Sequence, residues 1–277
     1  MAELPELETL RRELEKEAVG KRFKTPDVTG TKVVKHNGKK GFQGRLEGAK
    51  VKSVDRKGRY LVGNLDNGEL LVIDLGATGR LEKVAPKSTP PKGTAVVFSF
   101  TQGGQIRLID PGGGATAAIV AADALAEEVP DIAAGGLDPV ADAVSWTSFA
   151  RVILGRSAKL KAMLTDPSVV AGIGSIYSDE ILWEAGLRHD RTSDSLSSQE
   201  IRRLFRALVE TLHEAVKHHG TTIDEHPFVD LYGKPGGYQD ELKVYAREGD
   251  PCRRCRAPIA KARYSNKPLY YCEACQV

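Results

Sequence analysis

The chain has 277 residues, of which 41% are hydrophobic and 28% are charged, and this composition is ordinary for a globular protein. The length suits about two domains with cores of their own, and a third, small module would also fit. No apolar run approaches the roughly 18 residues that span a bilayer, so we expect a cytoplasmic protein without membrane segments. The net charge of +3 is too small to indicate a nucleic-acid partner by itself.

The opening stretch, "MAELPELETL", lacks the basic head and the apolar run of a targeting peptide. The residues from Leu4 predict a helix, which Gly20 closes as a C-cap. From there to about Asp110 the pattern is β-rich. Asn67-Gly68 and Gly103-Gly104 each separate two apolar runs, as hairpin turns do. Short loops of this kind predict antiparallel pairing, and so a sandwich or a barrel-like sheet.

The chain changes character after Asp110. "DPGGGATAAIV" ends the β pattern, and we place a domain boundary near residues 111–135. Apolar residues then recur at helical spacing from Ser145 to His219. Asp166-Pro167 predicts the start of a helix, and the segment Gly172-Ile173-Gly174 interrupts it before a second helix resumes. A glycine turn exposes backbone amides at the second helix's N-terminus, where a phosphate can bind.

All four cysteines lie near the C-terminus in the pattern C-x2-C-x16-C-x2-C, as Cys252, Cys255, Cys272 and Cys275. Two such pairs separated by the length of a hairpin form a tetrahedral thiolate site for one zinc ion, with two disulfides as the alternative. Four protein ligands leave no open position for water or substrate. The ion is therefore predicted to be structural and to supply folding energy to a small module.

Basic residues are concentrated in this module. The stretch from Lys243 to Val277 contains eight basic and three acidic residues, leaving +5, so the rest of the chain is at −2. Arg253 and Arg254 stand directly after Cys252, which predicts a hairpin that faces phosphates. A solvated basic surface without a ligand is the alternative interpretation.

Taken together, these motifs resemble the Fpg/Nei family (formamidopyrimidine-DNA glycosylase and endonuclease VIII). The resemblance is carried, in the correct order, by "ELPELETLRREL", the β-rich half, "VVAGIGSIYSDEILWEAGL", "GKPGGYQDELKVYAREGDPC" and the cysteine pattern. It implies a multidomain α+β protein. Its expected parts are an N-terminal antiparallel β-sandwich over residues 1–115, a helix-two-turn-helix domain over 135–225 and a C-terminal zinc-finger β-hairpin over 240–277.

The resemblance also implies a function. Family members are DNA base-excision repair glycosylases with AP (apurinic/apyrimidinic) lyase activity, which bind damaged DNA and flip the target base out of the kinked duplex. We therefore expect damaged DNA as the partner, one structural zinc ion as the cofactor, and a monomer that is cytoplasmic, or nucleoid-associated in a prokaryote.

In this family the chemistry starts at the amino terminus. After removal of methionine, the free amine attacks the sugar, expels the base and leaves an imine that undergoes elimination. Ala2 stands where the family has proline, and Glu3 matches the glutamate that transfers protons. An α-amino group with a pKa of about 8 is partly neutral near physiological pH and can act as a nucleophile. An alanine imine must be protonated to match the permanent charge of proline's iminium, so we expect slower lyase chemistry.

Three residues near the expected active site depart from the family or compensate for a departure. Arg59 stands where a catalytic lysine is usual and is therefore a candidate catalytic residue. It keeps a charge that can bind phosphate, but a guanidinium is a poor proton donor because it hardly deprotonates. Lys57 lies two residues earlier and is predicted to point to the same strand face, so it is a candidate substitute. Asp74 replaces the usual histidine.

Other departures fall on the DNA-facing positions. Ala77 replaces a void-filling methionine, and Gly112-Gly113-Gly114 replaces two arginines and the phenylalanine that fills the gap left by the flipped base. Ser175 stands where an asparagine that contacts phosphate is usual. Lys267 replaces an arginine, and lysine offers phosphate a point charge rather than a bidentate fork.

These departures leave three hypotheses open. The first is a glycosylase with AP lyase activity that uses the Ala2 amine and Glu3. The second is a paralogue that binds damaged DNA without cutting it, in which Glu3 only caps a helix. The third is a monofunctional glycosylase in which Glu3 activates water. The sequence does not name the excised base.

Overall fold

The computed structural model describes residues 2–29, 32–35, 38–85 and 88–277. Met1, whose removal we expect, lies outside these residues. The chain divides into two compact units, one made of residues 1–134 with 219–236 and the other of residues 135–218 with 237–277. Among the helices in the described ranges, none is both long and apolar enough to cross a membrane.

The first helix, α1 (Leu4–Ala18), begins where the sequence predicts it. Glu3 is its N-cap, and the backbone amide of Glu3 donates to Glu6 Oε2 at 2.8 Å, as in a capping box. Carboxylates in the first turn also complement the helix dipole. The buried face of the helix carries leucines three and four residues apart, which are Leu7, Leu10 and Leu14.

The strands of the first unit form two sheets. One sheet has four strands in the order β1 (Asp27–Val28), β7 (Thr94–Ser99), β8 (Gln105–Ile109) and β6 (Arg80–Val84). The other has five strands in the order β2 (Val34–Lys35), β9 (Thr116–Ala121), β5 (Glu69–Asp74), β4 (Tyr60–Leu65) and β3 (Val51–Lys57). Neighbouring strands are antiparallel except β2 and β9, which run parallel. The predicted antiparallel β-sandwich is therefore confirmed.

Both predicted hairpin turns are present. Asn67-Gly68 lies in the turn between β4 and β5, and Gly103-Gly104 lies in the turn between β7 and β8. Gly68, Gly103 and Gly104 have φ angles of 82°, 88° and 85°. Residues with a side chain rarely adopt this left-handed conformation, which explains why the two turns carry glycine.

The five-stranded sheet is covered on both faces. Its inner face joins the four-stranded sheet, α1 and helix α2 (Gly38–Leu46) in the main core. Its outer face packs against the region of α3 (Leu125–Glu128) and α4 (Pro130–Ala133). Burial on both faces explains the continuous apolar run of β5, since an exposed face would require alternation. Because β9 pairs with β5, the sandwich continues past residue 115, where the sequence predicts the end of the first domain.

The second unit is helical before its C-terminal hairpin. Its main helices are α5 (Trp146–Leu154), α6 (Leu160–Thr165), α7 (Ser175–Ala185) and α8 (Ser198–Lys217). Ser197 caps α8, and its side chain accepts a hydrogen bond from the amide of Glu200. The hairpin strands are β10 (Ala260–Tyr264) and β11 (Lys267–Tyr271), which pair antiparallel. Ser265 and Asn266 join them with φ angles of 46° and 64°.

The prediction of a helix start at Asp166-Pro167 was wrong. Helix α6 ends at Thr165, and Asp166 follows it as the C-cap residue. Asp166 Oδ1 accepts hydrogen bonds from the amide of Ser168 at 2.8 Å and from its hydroxyl at 2.7 Å. A short acidic side chain that binds the backbone two residues further on closes a turn as well as it caps a helix. Helix α7 begins only after Gly174.

Gly63 offers a test of the packing of the sandwich. It lies in β4, lines a small apolar cavity in the core, and has no positive φ. An added Cβ would lie 3.6 Å from Leu71 Cβ, an ordinary contact distance. We expect Gly63→Ala to raise the free energy of unfolding by about 0.5 to 1 kcal/mol, because alanine loses less backbone entropy in a strand. Urea unfolding would measure the change.

Gly79→Ala is the matched control, because it changes the unfolded chain in the same way. A Cβ at Gly79 would overlap the carbonyl oxygen of Leu75, so this variant should be less stable than the parent. Equal destabilisation by both substitutions would contradict the packing inferred at Gly63.

Candidate functional site

The start of α1 is fixed by the buried carboxylate of Glu6. One oxygen, Oε2, accepts from the amide of Glu3, and the other, Oε1, accepts from the amide of Thr221 at 2.8 Å. Glu6 is 2% exposed and Glu3 is 4% exposed. At Gly220 a Cβ would lie 2.7 Å from Glu6 Oε1, so the backbone of this segment approaches the carboxylate as closely as glycine allows. Ala2 is partly buried against the main core.

This arrangement fixes the backbone next to Ala2, the residue that carries the sequence-predicted amine. Ala2 directly precedes the N-cap Glu3, and both residues belong to the first unit together with Thr221. Burial demands that polar groups here be hydrogen-bonded, and the bonds through Glu6 hold the backbone of Glu3 in one position. A terminal amine at residue 2 would therefore project from a rigid helix start rather than from a loose end.

Arg59 and Asp74 form an ion pair at the tip of a hairpin. Arg59 Nε donates to Asp74 Oδ2 at 3.0 Å, and the guanidinium carbon lies 5.4 Å from the centre of the Tyr60 ring. About half of the Arg59 side chain is exposed, whereas the Asp74 side chain is 11% exposed. The hydrogen bond with Asp74 raises the pKa of the Arg59 guanidinium above its ordinary value, which makes it a still weaker proton donor.

Lys57 does not lie on the same strand as Arg59, so the prediction of a shared strand face was wrong. Lys57 is the last residue of β3, and Tyr60, its partner in the sheet, is the first residue of β4. Gly58, with a φ of 59°, and Arg59 form the turn between the two strands. The spacing of two that places residues on one face of a strand does not apply across a hairpin turn. Lys57 is exposed.

The glycine segment after Pro111 is a tight loop. Asp110 Oδ2 accepts from the amide of Ala115 at 2.6 Å, and Oδ1 accepts from the hydroxyl of Thr78 at 2.5 Å. Burial opposes the ionisation of Asp110, but these bonds outweigh it and lower the pKa of the carboxyl. A Cβ at Gly112 would overlap Thr78 Oγ1. A side chain at this position is therefore excluded unless Thr78 moves.

Ser175 is the first residue of α7 and is buried. Gly172, with a φ of 71°, and Gly174 stand in the turn before it, as the glycine pattern predicts. The ammonium group of Lys161 donates to the carbonyl oxygen of Ser175 at 3.1 Å. A buried ammonium group therefore holds the end of the α6–α7 turn, where α7 begins.

The four predicted cysteine ligands come together. Their sulfur atoms all lie within 4.8 Å of one another, with Cys252 and Cys275 separated by 3.8 Å and Cys255 and Cys272 by 3.5 Å. A tetrahedral zinc ion with Zn–S bonds of about 2.3 Å requires sulfur separations of about 3.8 Å. The donor set therefore fits one zinc ion. The indole nitrogen of Trp183 donates to Cys252 Sγ at 3.4 Å, which adds a bond to a ligand sulfur.

The two arginines after Cys252 are engaged within the second unit. Arg254 donates to the carbonyl oxygens of Trp183 at 2.6 Å and Glu184 at 3.0 Å, and its guanidinium carbon lies 3.9 Å from the Trp183 ring centre. Arg253 donates to the carbonyl oxygen of Asp240 at 3.0 Å. These bonds hold the first cysteine knuckle, which is the segment from Cys252 to Cys255, to its surroundings. Lys267, in contrast, is exposed at the start of β11.

Sequence patterns missed three residues that hold these sites together. Lys161 and Asp179 form a buried ion pair of 2.6 Å, and Thr221 binds Glu6 through its backbone. Burial raises the pKa of Asp179 to about 7, although the Lys161 ammonium group lowers it. Nothing in the local sequence signals these partners, because each bond joins segments that are distant along the chain or uses a backbone amide.

Metal removal provides a test of the cysteine site. We expect the purified protein to contain one zinc ion per chain and Cys272→Ser to contain less, because the variant has three thiolates left. Chelation should increase hydrogen exchange in β10 and β11. The first unit, which has no cysteine, serves as the internal control and should keep its exchange protection. Full metal retention in the variant would contradict the site.

The chain resembles known proteins over nearly its whole length. Residues 1–114 match the formamidopyrimidine-DNA glycosylase N-terminal domain, and residues 136–226 match the formamidopyrimidine-DNA glycosylase H2TH domain. The formamidopyrimidine-DNA glycosylase of Pelotomaculum thermopropionicum is 35% identical over 276 residues, which cover 100% of this chain and 99% of the relative.

Solved structures are similar in the same way. A complex between the Lactococcus lactis Fpg and DNA containing an abasic site has a TM-score of 0.90 and 28% sequence identity, and covers 99% of both chains. The MutM (Fpg) protein from Thermus thermophilus has a TM-score of 0.87 and 32% identity, and covers 99% of this chain and 98% of its own.

Proposed function

Because this chain belongs to the formamidopyrimidine-DNA glycosylase family, a family of DNA repair glycosylases, we propose that it excises a damaged base from DNA and then cleaves the abasic strand. The Ala2 amine, freed by loss of Met1, is the proposed nucleophile. The observation that supports this role most is the buried Glu6 carboxylate, which fixes Glu3 and so the residue that precedes it.

In the proposed reaction the neutral amine of Ala2 attacks C1′ of the damaged nucleotide. The bond between C1′ and the base breaks, the base leaves with a proton, and the opened sugar forms an imine with the Ala2 nitrogen. Glu3 supplies and removes the protons, including the one lost from C2′ when the 3′ phosphate leaves by β-elimination. A second, δ-elimination releases the 5′ phosphate.

The remaining predicted residues are proposed to bind DNA. Lys57, Arg59 and Lys267 carry exposed or half-exposed positive charge that can contact phosphates. Ser175 lies at the N-terminus of α7, where the positive end of the helix dipole favours an anion. Arg253 and Arg254 contribute through the knuckle that they hold as well as through their charge. A zinc ion at the four cysteines would stabilise the hairpin and take no part in the chemistry.

A second candidate function is binding of damaged DNA without cleavage. The observation that favours it is the ion pair between Arg59 and Asp74, which occupies the position of the family's lysine with a group that hardly releases a proton. The third hypothesis, a monofunctional glycosylase, requires Glu3 to activate water instead of serving the amine.

Borohydride trapping separates these functions. With DNA that contains an abasic site, we expect the trimmed protein to form a covalent adduct through Ala2, and Ala2→Pro to form it faster, because proline's iminium carries a permanent charge. Glu3→Gln should lower the yield of adduct at least about tenfold, as loss of a general acid or base does. Gel electrophoresis and mass spectrometry of the linked peptide would measure both.

Each alternative has its own outcome in that experiment. Base release without any adduct would indicate the monofunctional enzyme. Tight, salt-sensitive binding without base release across a panel of lesions would indicate the non-catalytic binder. Mass analysis of the purified chain must show that Met1 is removed, since an amide nitrogen at Ala2 cannot form the imine.

The glycine loop predicts a preference for unpaired DNA. Ala77 and Gly112 to Gly114 offer no large side chain to fill the gap that a flipped base leaves, so an open duplex is poorly supported. We expect the same lesion to be processed faster in single-stranded or bubble DNA than in a fully paired duplex. Single-turnover rates on the three substrates would test this. A rate that is highest on the paired duplex would overturn it.

A further inference from the structure

Helices α6 and α7 share a buried ion pair that the proposed chemistry does not use. Lys161 Nζ lies 2.6 Å from Asp179 Oδ1, and the two side chains are 3% and 0% exposed. A buried ion pair is often no more stabilising than a well-packed apolar pair of similar volume, because both charges lose their water. Its presence therefore calls for a role beyond filling the core.

The cation of this pair holds the beginning of α7. Lys161 Nζ donates to the carbonyl oxygen of Ser175 at 3.1 Å and to the hydroxyl of Ser178 at 2.7 Å. Ser175 follows directly on the glycine turn, and it is the residue proposed to contact phosphate. The position of the first turn of α7 thus depends on where the Lys161 ammonium group lies.

The anion of the pair holds the cysteine hairpin. Asp179 Oδ2 accepts from the backbone amide of Tyr270 at 2.9 Å. Tyr270 is in β11, two residues before the ligand Cys272 and three after the exposed Lys267. One carboxylate therefore connects the ammonium group under the α6–α7 turn with the backbone of the hairpin strand.

Neighbouring residues of α7 support the same module at other points. The Glu180 carboxylate accepts from the amides of Lys243, Val244 and Tyr245. Trp183 donates to Cys252 Sγ at the first knuckle. These contacts hold the segment that precedes the hairpin and the ligand Cys252. Asp179 differs from them, because it binds both strand β11 and the ammonium group of Lys161.

We propose that Lys161 and Asp179 are a positioning pair that fixes the cysteine hairpin at a set distance from the first turn of α7. The pair would keep Lys267 and Ser175, two groups that the proposed function assigns to phosphates, in a constant spacing. The proposal deepens that function, and its phosphate-spacing part rests on it. The contact between the hairpin and α7 does not depend on the proposed function, and it can be measured on the protein alone.

The test compares Asp179→Asn with the double variant Lys161→Met/Asp179→Leu, each loaded with zinc. Asp179→Asn leaves a buried ammonium group without its counter-ion, and the double variant replaces both charges by apolar side chains. Glu214→Gln is the control, because it removes an exposed ion pair from α8 in the same unit. Hydrogen exchange at residues 172–178 and 267–272, and the rate of zinc release to excess chelator, are the readouts.

We expect both pair variants to exchange faster than the parent in both segments and to release zinc about tenfold faster, since each loses a charge-assisted hydrogen bond. The control should match the parent. The double variant should regain thermal stability and still show fast hairpin exchange. If it restores stability and also the protection of residues 267–272, the pair only fills the core and the proposal is overturned.

Binding to abasic-site DNA distinguishes this outcome from failure of the proposed function. A weaker affinity of the double variant at unchanged hairpin exchange would contradict the positioning role. A different result is faster hydrogen exchange and zinc release in the variants while the parent itself does not bind DNA. It would support the contact between the hairpin and α7, and it would overturn the proposed function and the phosphate spacing that rests on it.

Discussion

The carboxylate of Glu6 makes the contacts on which the proposed amino-terminal chemistry depends. It lies in the interior, so its two oxygens must be hydrogen-bonded, and they bind the amide of Glu3 and the amide of Thr221. A single side chain thus connects the first turn of α1 with the returning segment at Thr221. The residue that precedes Glu3 in the chain is held in position by the same contacts. A reactive amine at a chain end is normally mobile, and in the proposed mechanism the fold would remove that mobility before the substrate binds.

The ion pair of Arg59 and Asp74 changes how the departures from the family are understood. In the sequence they are two separate replacements fifteen positions apart. In the structure the two side chains bind each other, so either one alone would leave a charge without its partner. The two replacements together therefore form an ion pair at the hairpin tip, and its cation is a group that hardly releases a proton. In the proposed mechanism Glu3 is then the residue that transfers the protons.

Much of the fold was predictable because its signals are local. The hairpin turns depend on glycines at positive φ, the first helix depends on a cap and an apolar stripe, and the cysteine site depends on spacing alone. Errors arose where one local pattern serves two structures: Asp166 closes a turn instead of starting a helix, and Lys57 is separated from Arg59 by a turn. The pair of Lys161 and Asp179 was not predictable, because burial and partners are properties of the tertiary structure.

The tight loop from Asp110 to Ala115 restricts the changes that this chain can accept one at a time. A side chain at Gly112 meets Thr78, and a Cβ at Gly76 would lie 2.7 Å from the carbonyl oxygen of Gly114. The hydroxyl of Thr78 is in turn bound to Asp110. Acquisition of a bulky residue at position 112 would therefore need coordinated substitutions in two loops, each unfavourable without the other. The loop is an epistatic barrier, and descendants of this sequence should keep Gly76 and Gly112 even where selection would reward a larger side chain.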